Sequence, residues 1–198
     1  MIKTEYKYNI NLSNNGLIFM RSHTSPPEKA IIQINKNNKT DNTLNFNVME
    51  DEYRRIVDLS AFIAEEDSIN DDDYCEKLYY KQVWKDVDLV FSIINGQLKY
   101  EFIVYPGAKL ENIKFTYNYA DTVELDDKGN LIIKYKNITL IDQAPISYQI
   151  IEGIRVPLKS QYVLNYSIEK EPIVTVDLSP LYDSNYILII DPCITFLD

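Results

Sequence analysis

The sequence predicts an all-β protein: an antiparallel β-sandwich or a partly open barrel, with one short helix near residues 51–64 as an addition. Three observations predict it. Polar and apolar residues alternate through most segments, most cleanly at Leu44, Phe46 and Val48, at Leu98, Tyr100, Phe102 and Val104, and at Ile113, Phe115 and Tyr117. A period of two is the mark of a half-buried strand. The five glycines (Gly16, Gly96, Gly107, Gly129 and Gly153) all stand at turn positions between such segments. The aromatic complement is mostly tyrosine, 16 copies against 7 Phe and 1 Trp. Tyrosine suits a sheet face, because its ring packs while its hydroxyl reaches a polar partner.

The elements follow in order. Glu5–Ile10 alternates, Asn14-Asn15-Gly16 turns, and Leu17–Met20 resumes a strand. Pro26-Pro27 breaks the chain before a short apolar strand at Ala30–Ile34, and Leu44–Val48 follows the polar loop Lys36–Asn42. Asp51–Glu66 fits helical spacing through Tyr53, Ile56, Val57, Ser60 and Ile63 and strand spacing through Val57, Leu59, Ala61 and Ile63, and the acidic Glu50, Asp51 and Glu52, suited to a helix N-terminus, favour the short helix. Glu65–Glu76 is crowded with carboxylates that repel one another and resist burial, so it reads as an exposed loop. This loop separates an N-terminal β-rich region, residues 1–70, from a β-sandwich domain, residues 74–198, and the two can share one core. Beyond it, Asn95-Gly96 supplies the positive φ angles of a tight hairpin, Pro106-Gly107 turns again, and Asp126–Asn130 joins Val123–Leu125 to Leu131–Tyr135. Further strands are expected at Ile138–Ile141, Ile146–Ile151, Ile154–Leu158, Tyr162–Ile168, Val174–Leu178 and Tyr186–Ile190. Short strands at this spacing read as a sandwich or barrel.

Charge and composition exclude several functions. The net charge is −10. It opposes nucleic-acid backbones and anionic lipid, and no basic stripe offsets it. No stretch approaches the roughly 20 apolar residues that span a bilayer, so membrane insertion is not expected. Met1–Tyr6 lacks the apolar core of a classical export signal. His23, the sole imidazole, lies in a loop before two prolines, and no nucleophile elbow accompanies it. The isolated glycines build no phosphate-cradling loop. The acidic run lacks the spacing of a calcium loop. No catalytic residue, cofactor or metal site is therefore expected. Cys75 and Cys193 are candidates for a disulfide within or between chains, although a strand thiol such as Cys193 is ordinarily just buried. Tyr79, Tyr80, Tyr117 and Tyr119 are candidates for a binding platform of stacked rings. The competing reading of the same residues is core packing, since tyrosines two apart share one strand face.

Four segments carry a family resemblance. Val83-Trp84-Lys85-Asp86-Val87-Asp88-Leu89-Val90 is similar to a V-Y-P-G-I-D-L-V run. Leu98–Ala108 is similar to L-E-Y-D-F-V-V-x-P-G-A. Pro145-Ile146-Ser147-Tyr148-Gln149 follows P-x-x-Y-Q, and Leu188-Ile189-Ile190-Asp191-Pro192 follows L-V-I-D-P. In order and spacing, Tyr79–Phe196 resembles the domain that precedes SBBP-type β-propeller repeats in bacterial cell-surface proteins. The resemblance implies an all-β, non-catalytic, surface-associated module. The functional expectation is a structural or assembly module of a bacterial surface or spore layer, self-associating through strand edges or bound to another surface protein. The alternative is an adhesin-like module recognising a glycan or protein.

Overall fold

The computed structural model of the chain describes residues 8–12, 17–22, 29–36, 44–49, 64–67, 77–94, 97–136, 138–168, 171–179 and 182–196. Within them the chain opens with the antiparallel run β1 (Tyr8–Leu12), β2 (Leu17–Ser22), β3 (Lys29–Lys36) and β4 (Leu44–Met49). A second antiparallel run is β5 (Ala64–Asp67), β6 (Lys77–Trp84), β7 (Val87–Ile94) and β8 (Gln97–Val104). After a 3-10 turn at Leu110–Asn112 come β9 (Phe115–Asn118), β10 (Thr122–Leu125), β11 (Leu131–Tyr135) and β12 (Ile138–Asp142). β13 (Ile146–Ile151), β14 (Ile154–Tyr166), β15 (Pro172–Ser179), β16 (Ile187–Asp191) and β17 (Cys193–Phe196) complete the order.

The strands form an all-β, almost wholly antiparallel architecture of two layers that does not close into a barrel. One layer runs β1-β2-β3-β4-β9-β15 and ends on the second half of β14. Its β4–β9 ladder is parallel, with Leu44 opposite Phe115, and it ties the strands before residue 50 to the rest. The other layer runs β5-β6-β7-β8 and then forks. Phe102–Val104 of β8 pair with β16, whereas Leu98 and Lys99 pair with β17. Pro192 sits between those two strands. It has no N–H, and its carbonyl accepts the Tyr100 N–H at 3.3 Å. From the fork, β16 continues to β13 and the first half of β14, and β17 continues to β12, β11 and β10.

β14 corrects the expectation of two strands at Ile154–Leu158 and Tyr162–Ile168. It is one strand of 13 residues. Ile154–Leu158 pair with β13, and Lys159–Tyr166 pair with β15 in the opposite layer. The polar stretch Lys159–Gln161 stays extended while the partner changes, and the Ser160 hydroxyl donates to the Pro145 carbonyl at 2.6 Å. Strands that switch sheets make the corners of such sandwiches. Of the expected helix near 51–64, residues 51–63 lie outside the described residues and Ala64 opens β5. The acidic loop also begins later than expected, because Glu65–Asp67 pair with β6. An edge strand tolerates charged residues, which discourage pairing with other chains.

Turn chemistry follows the sequence closely. Ile151 pairs with Ile154 across Glu152-Gly153, whose φ angles of +51° and +80° make a primed two-residue hairpin. The Asp126 carboxylate accepts from the N–H groups of Lys128 and Asn130 and from the Asn130 amide. That holds the β10–β11 turn and lowers its pKa. Ile94 pairs with Gln97 across residues 95–96, which are not among the described residues.

The core lies between the layers and is aromatic at its centre. Phe115 of β9 meets Tyr100 and Phe102 of the opposite layer at ring-centroid distances of 6.4 and 5.9 Å. It also meets Tyr117 and Tyr162 at 6.2 and 6.0 Å. Such pairs add to the area term of burial. Phe115→Ala removes the ring that all four share and leaves a cavity, so urea unfolding is expected to show a loss of about 3–5 kcal/mol. A loss below about 1 kcal/mol contradicts this packing.

Candidate functional site

The fork in the second layer positions an acid in the core. Ile138, Leu140 and Asp142 alternate inward along β12, so the third inward side chain is a carboxylate. Asp142 is 0% exposed. Three hydroxyls converge on it. Tyr100 (β8) and Tyr117 (β9) donate to Oδ2 at 2.6 and 2.7 Å, and Tyr162 (β14) donates to Oδ1 at 2.9 Å. The Tyr100 and Tyr162 oxygens stand a further 3.2 Å apart. The four side chains come from both layers, so the cluster joins the sheets across the core.

Counting protons over four of these contacts favours the neutral acid. An ionised Asp142 accepts three hydrogens, one from each tyrosine, and the 3.2 Å Tyr100–Tyr162 contact is left without one. A protonated Asp142 brings a fourth hydrogen. Oδ1–H can then donate to Tyr162, Tyr162 to Tyr100, and Tyr100 and Tyr117 to Oδ2, so each of the four short contacts holds one proton. Burial pushes the carboxyl in the same direction and outweighs the three donors that favour the anion, raising its pKa to about 7. The tyrosines are raised well above their usual value, first by burial and then by the neighbouring acid. The acid itself is fully buried.

The sign of the linked effect follows. The folded pKa of Asp142 lies above the roughly 3.9 of an unfolded carboxyl, so the folded state binds more protons between those values. Its contribution to stability is full below pH ~4 and is lost as pH rises through about 7. In Asp142→Asn this pH-dependent decline is expected to vanish. Urea unfolding of wild type and variant at pH values from 4 to 8 measures it, and parallel curves contradict the assignment.

Polar residues in the sequence segments around Asp88, Gln149 and Asp191 hold local structure. Asp88 accepts the Gln82 N–H at 2.7 Å and the Tyr105 hydroxyl at 3.0 Å. It thereby holds the bulge between Tyr80 and Trp84. Gln149 donates to the Asp183 carbonyl at 2.7 Å and accepts the Asp183 N–H at 2.9 Å, fixing the turn before β16. Asp191 pairs with Lys99 at 3.2 Å beside the Pro192 fork.

The outer face of the forked layer carries a row of apolar residues beside the charged Lys99, Glu101, Asp191 and Arg155. Pro157, Tyr148, Ile189 and Ile103 stand in one row across β14, β13, β16 and β8, with Ile150 opposite Ile187 alongside. Ile146 is 63% exposed, and Arg155 covers the Tyr148 ring at 3.5 Å. β14 adds an edge. Among the described residues each half of it has a ladder partner on one side only. Arg155, Pro157 and Lys159 guard its first half, but Ser160–Tyr166 carries neither charge nor proline.

A cleft of about 390 Å³ opens where the β9–β10 turn meets the connection from β14 to β15. Tyr117 lies at its base, and Tyr119 and Tyr166, 68% and 62% exposed, line it. Among the described residues, none of those lining it is cationic. Among the described residues, no three His, Cys, Asp or Glu side chains converge as metal ligands, and no helix is long and apolar enough to cross a membrane.

The structure separates the residues proposed from sequence. Tyr80 and Tyr117 are core residues at 1% and 2% exposure and offer no ring face, because their strand positions point inward. Tyr79 is half-buried, and Tyr119 is exposed. Cys193 is buried with its thiol pushed up to about 11 by burial, and Cys75 and His23 lie outside the described residues. In a Cys75→Ser background the native protein is therefore expected to resist a soluble thiol reagent until it is unfolded. Rapid native labelling contradicts this burial. Sequence reasoning missed Asp142, whose inward phase in β12 was the available signal. It also missed Tyr166, which carries no local signal.

Fold and site together define an all-β protein of two layers with a titratable cluster between them. The chain belongs to the family described as a domain of unknown function (DUF7948), which matches residues 5–193. No curated protein and no solved structure matches it.

Proposed function

We propose that this domain is a non-enzymatic structural module that self-associates through the second half of β14. The observation that carries the reading is the unguarded edge Ser160–Tyr166, where N–H and C=O groups on one side have no ladder partner among the described residues. Main-chain groups at such an edge accept another strand without needing a matching side chain. Two copies of one edge pair antiparallel about a two-fold axis, so the same seven residues serve both partners. The outward positions Gln161, Val163 and Asn165 are uncharged, and like-charge repulsion does not oppose the pairing there.

The apolar outer face of the β13–β14 hairpin adds a second contact surface, available to the same layer or to another surface protein. The likeness to the SBBP-associated domain supports a place in a bacterial surface or spore layer. The structural roles of Asp88, Gln149 and Asp191 fit a module whose distinguishing residues shape the fold.

Gln161→Lys with Asn165→Lys places two charges on exposed positions of the edge. Light scattering of the wild type is expected to show oligomers that grow with concentration. The double variant is expected to stay monomeric with an unchanged thermal midpoint. A wild type that is monomeric at millimolar concentration refutes the reading, as does a double variant that assembles equally well.

A further inference from the structure

We propose that the cleft at the end of β9 and β14 binds a neutral pyranose saccharide. This stands independently of assembly through the β14 edge. Three features carry it.

The first is the pair of exposed rings. Tyr162, Leu164 and Tyr166 alternate along the inward side of β14, but Tyr166 lies beyond the end of the core and reaches the cleft. Tyr119 follows β9 in a left-handed conformation, φ +65°, that a bulky residue rarely adopts. The turn is tied down on both sides of Asp121: its N–H donates to the Lys134 carbonyl at 2.7 Å, and its Oδ2 accepts the Lys136 N–H at 2.6 Å. An exposed aromatic on a fastened turn is a rigid apolar surface, with little entropy to lose on binding. The C–H face of a pyranose is the apolar counterpart such a ring can cover.

The second is the mixture of donors and acceptors between the rings. Asn118 and Thr122 each offer both, and Glu171 offers carboxylate oxygens. Sugar hydroxyls also donate and accept, so they can satisfy both kinds of partner at once. A bare cation can engage only the acceptors.

The third is charge. Among the described residues, Asp121, Glu124 and Glu171 are the charged groups that line the cleft, and Lys134 stands 3.6 Å from Glu124. A uronate or sulfated sugar meets like charge here, which selects the neutral class. The volume, about 390 Å³, lies within the range of small-ligand sites.

The test is ligand-observed NMR titration of the intact protein with neutral gluco-, manno-, xylo- and chito-oligosaccharides, each beside a uronate-containing counterpart. At least one neutral series is expected to bind with a millimolar or tighter Kd, and its anionic counterpart at least about tenfold more weakly. Tyr119→Ala and Tyr166→Ala are each expected to weaken binding by about tenfold or more, while Gln161→Lys with Asn165→Lys binds as wild type. Tyr119→Asn, whose side chain tolerates positive φ, replaces Tyr119→Ala if the latter does not fold. Absence of binding by every neutral series overturns the proposal. So does wild-type affinity in a folded Tyr119 or Tyr166 variant, or equal binding of neutral and anionic sugars.

Discussion

One buried acid joins the two layers of this protein. Asp142 collects hydroxyls from β8, β9 and β14, and those strands belong to both sheets. A sandwich core is ordinarily held by apolar contact, which is non-directional and permits the layers to slide. Three hydrogen bonds on one carboxyl fix the relative position of the sheets, because each tyrosine reaches the acid from only one register. The surrounding rings enforce the same geometry, with Phe115 touching Tyr100, Tyr117 and Tyr162. Losing an acceptor at this point strands several buried donors, which costs more than the bonds themselves contribute.

The location of that acid follows from the fork. A strand can pair on only two sides, and β8 gives one side to β7 and divides the other between β16 and β17. Pro192 makes the division possible by withholding a donor where the partners diverge. Gln143, next to Asp142, donates its N–H to the Cys193 carbonyl at 2.9 Å, so β12 is seated against β17 at the same point. The β8 fork, the end of β12 and the corner in β14 are thus parts of one junction. Several residues cluster around it: Tyr100 and Lys99 of β8, Asp191 and Pro192 at the fork, and Pro145, whose carbonyl accepts Ser160.

Surface features follow from the same arrangement. Because β14 changes sheets, it has one partner at a time and becomes a long edge. Because the forked layer spreads β13, β16 and β8 side by side, isoleucines that alternate outward on each strand line up in rows. The cleft forms where β14 outruns the core, so that an inward-phase tyrosine emerges beside Tyr119. Edge, cleft and junction are consequences of one topology.

The sequence by itself determined the fold class, most strand positions and most turns, because alternation and turn chemistry are local. Gly153 supplies a positive φ at the turn, and Leu98–Val104 shows one apolar face to any partner. The inward phase of Tyr100, Tyr117 and Asp142 was also readable there. Convergence of those residues with Tyr162 was not, since it depends on pairings between segments up to 62 positions apart. Tertiary structure alone decided that β14 is one strand in two sheets, that Tyr117 is core while Tyr119 is surface, and that Tyr166 stands beside it. The physical reason is that a strand carries its own face pattern but not its neighbours, and burial belongs to the neighbours.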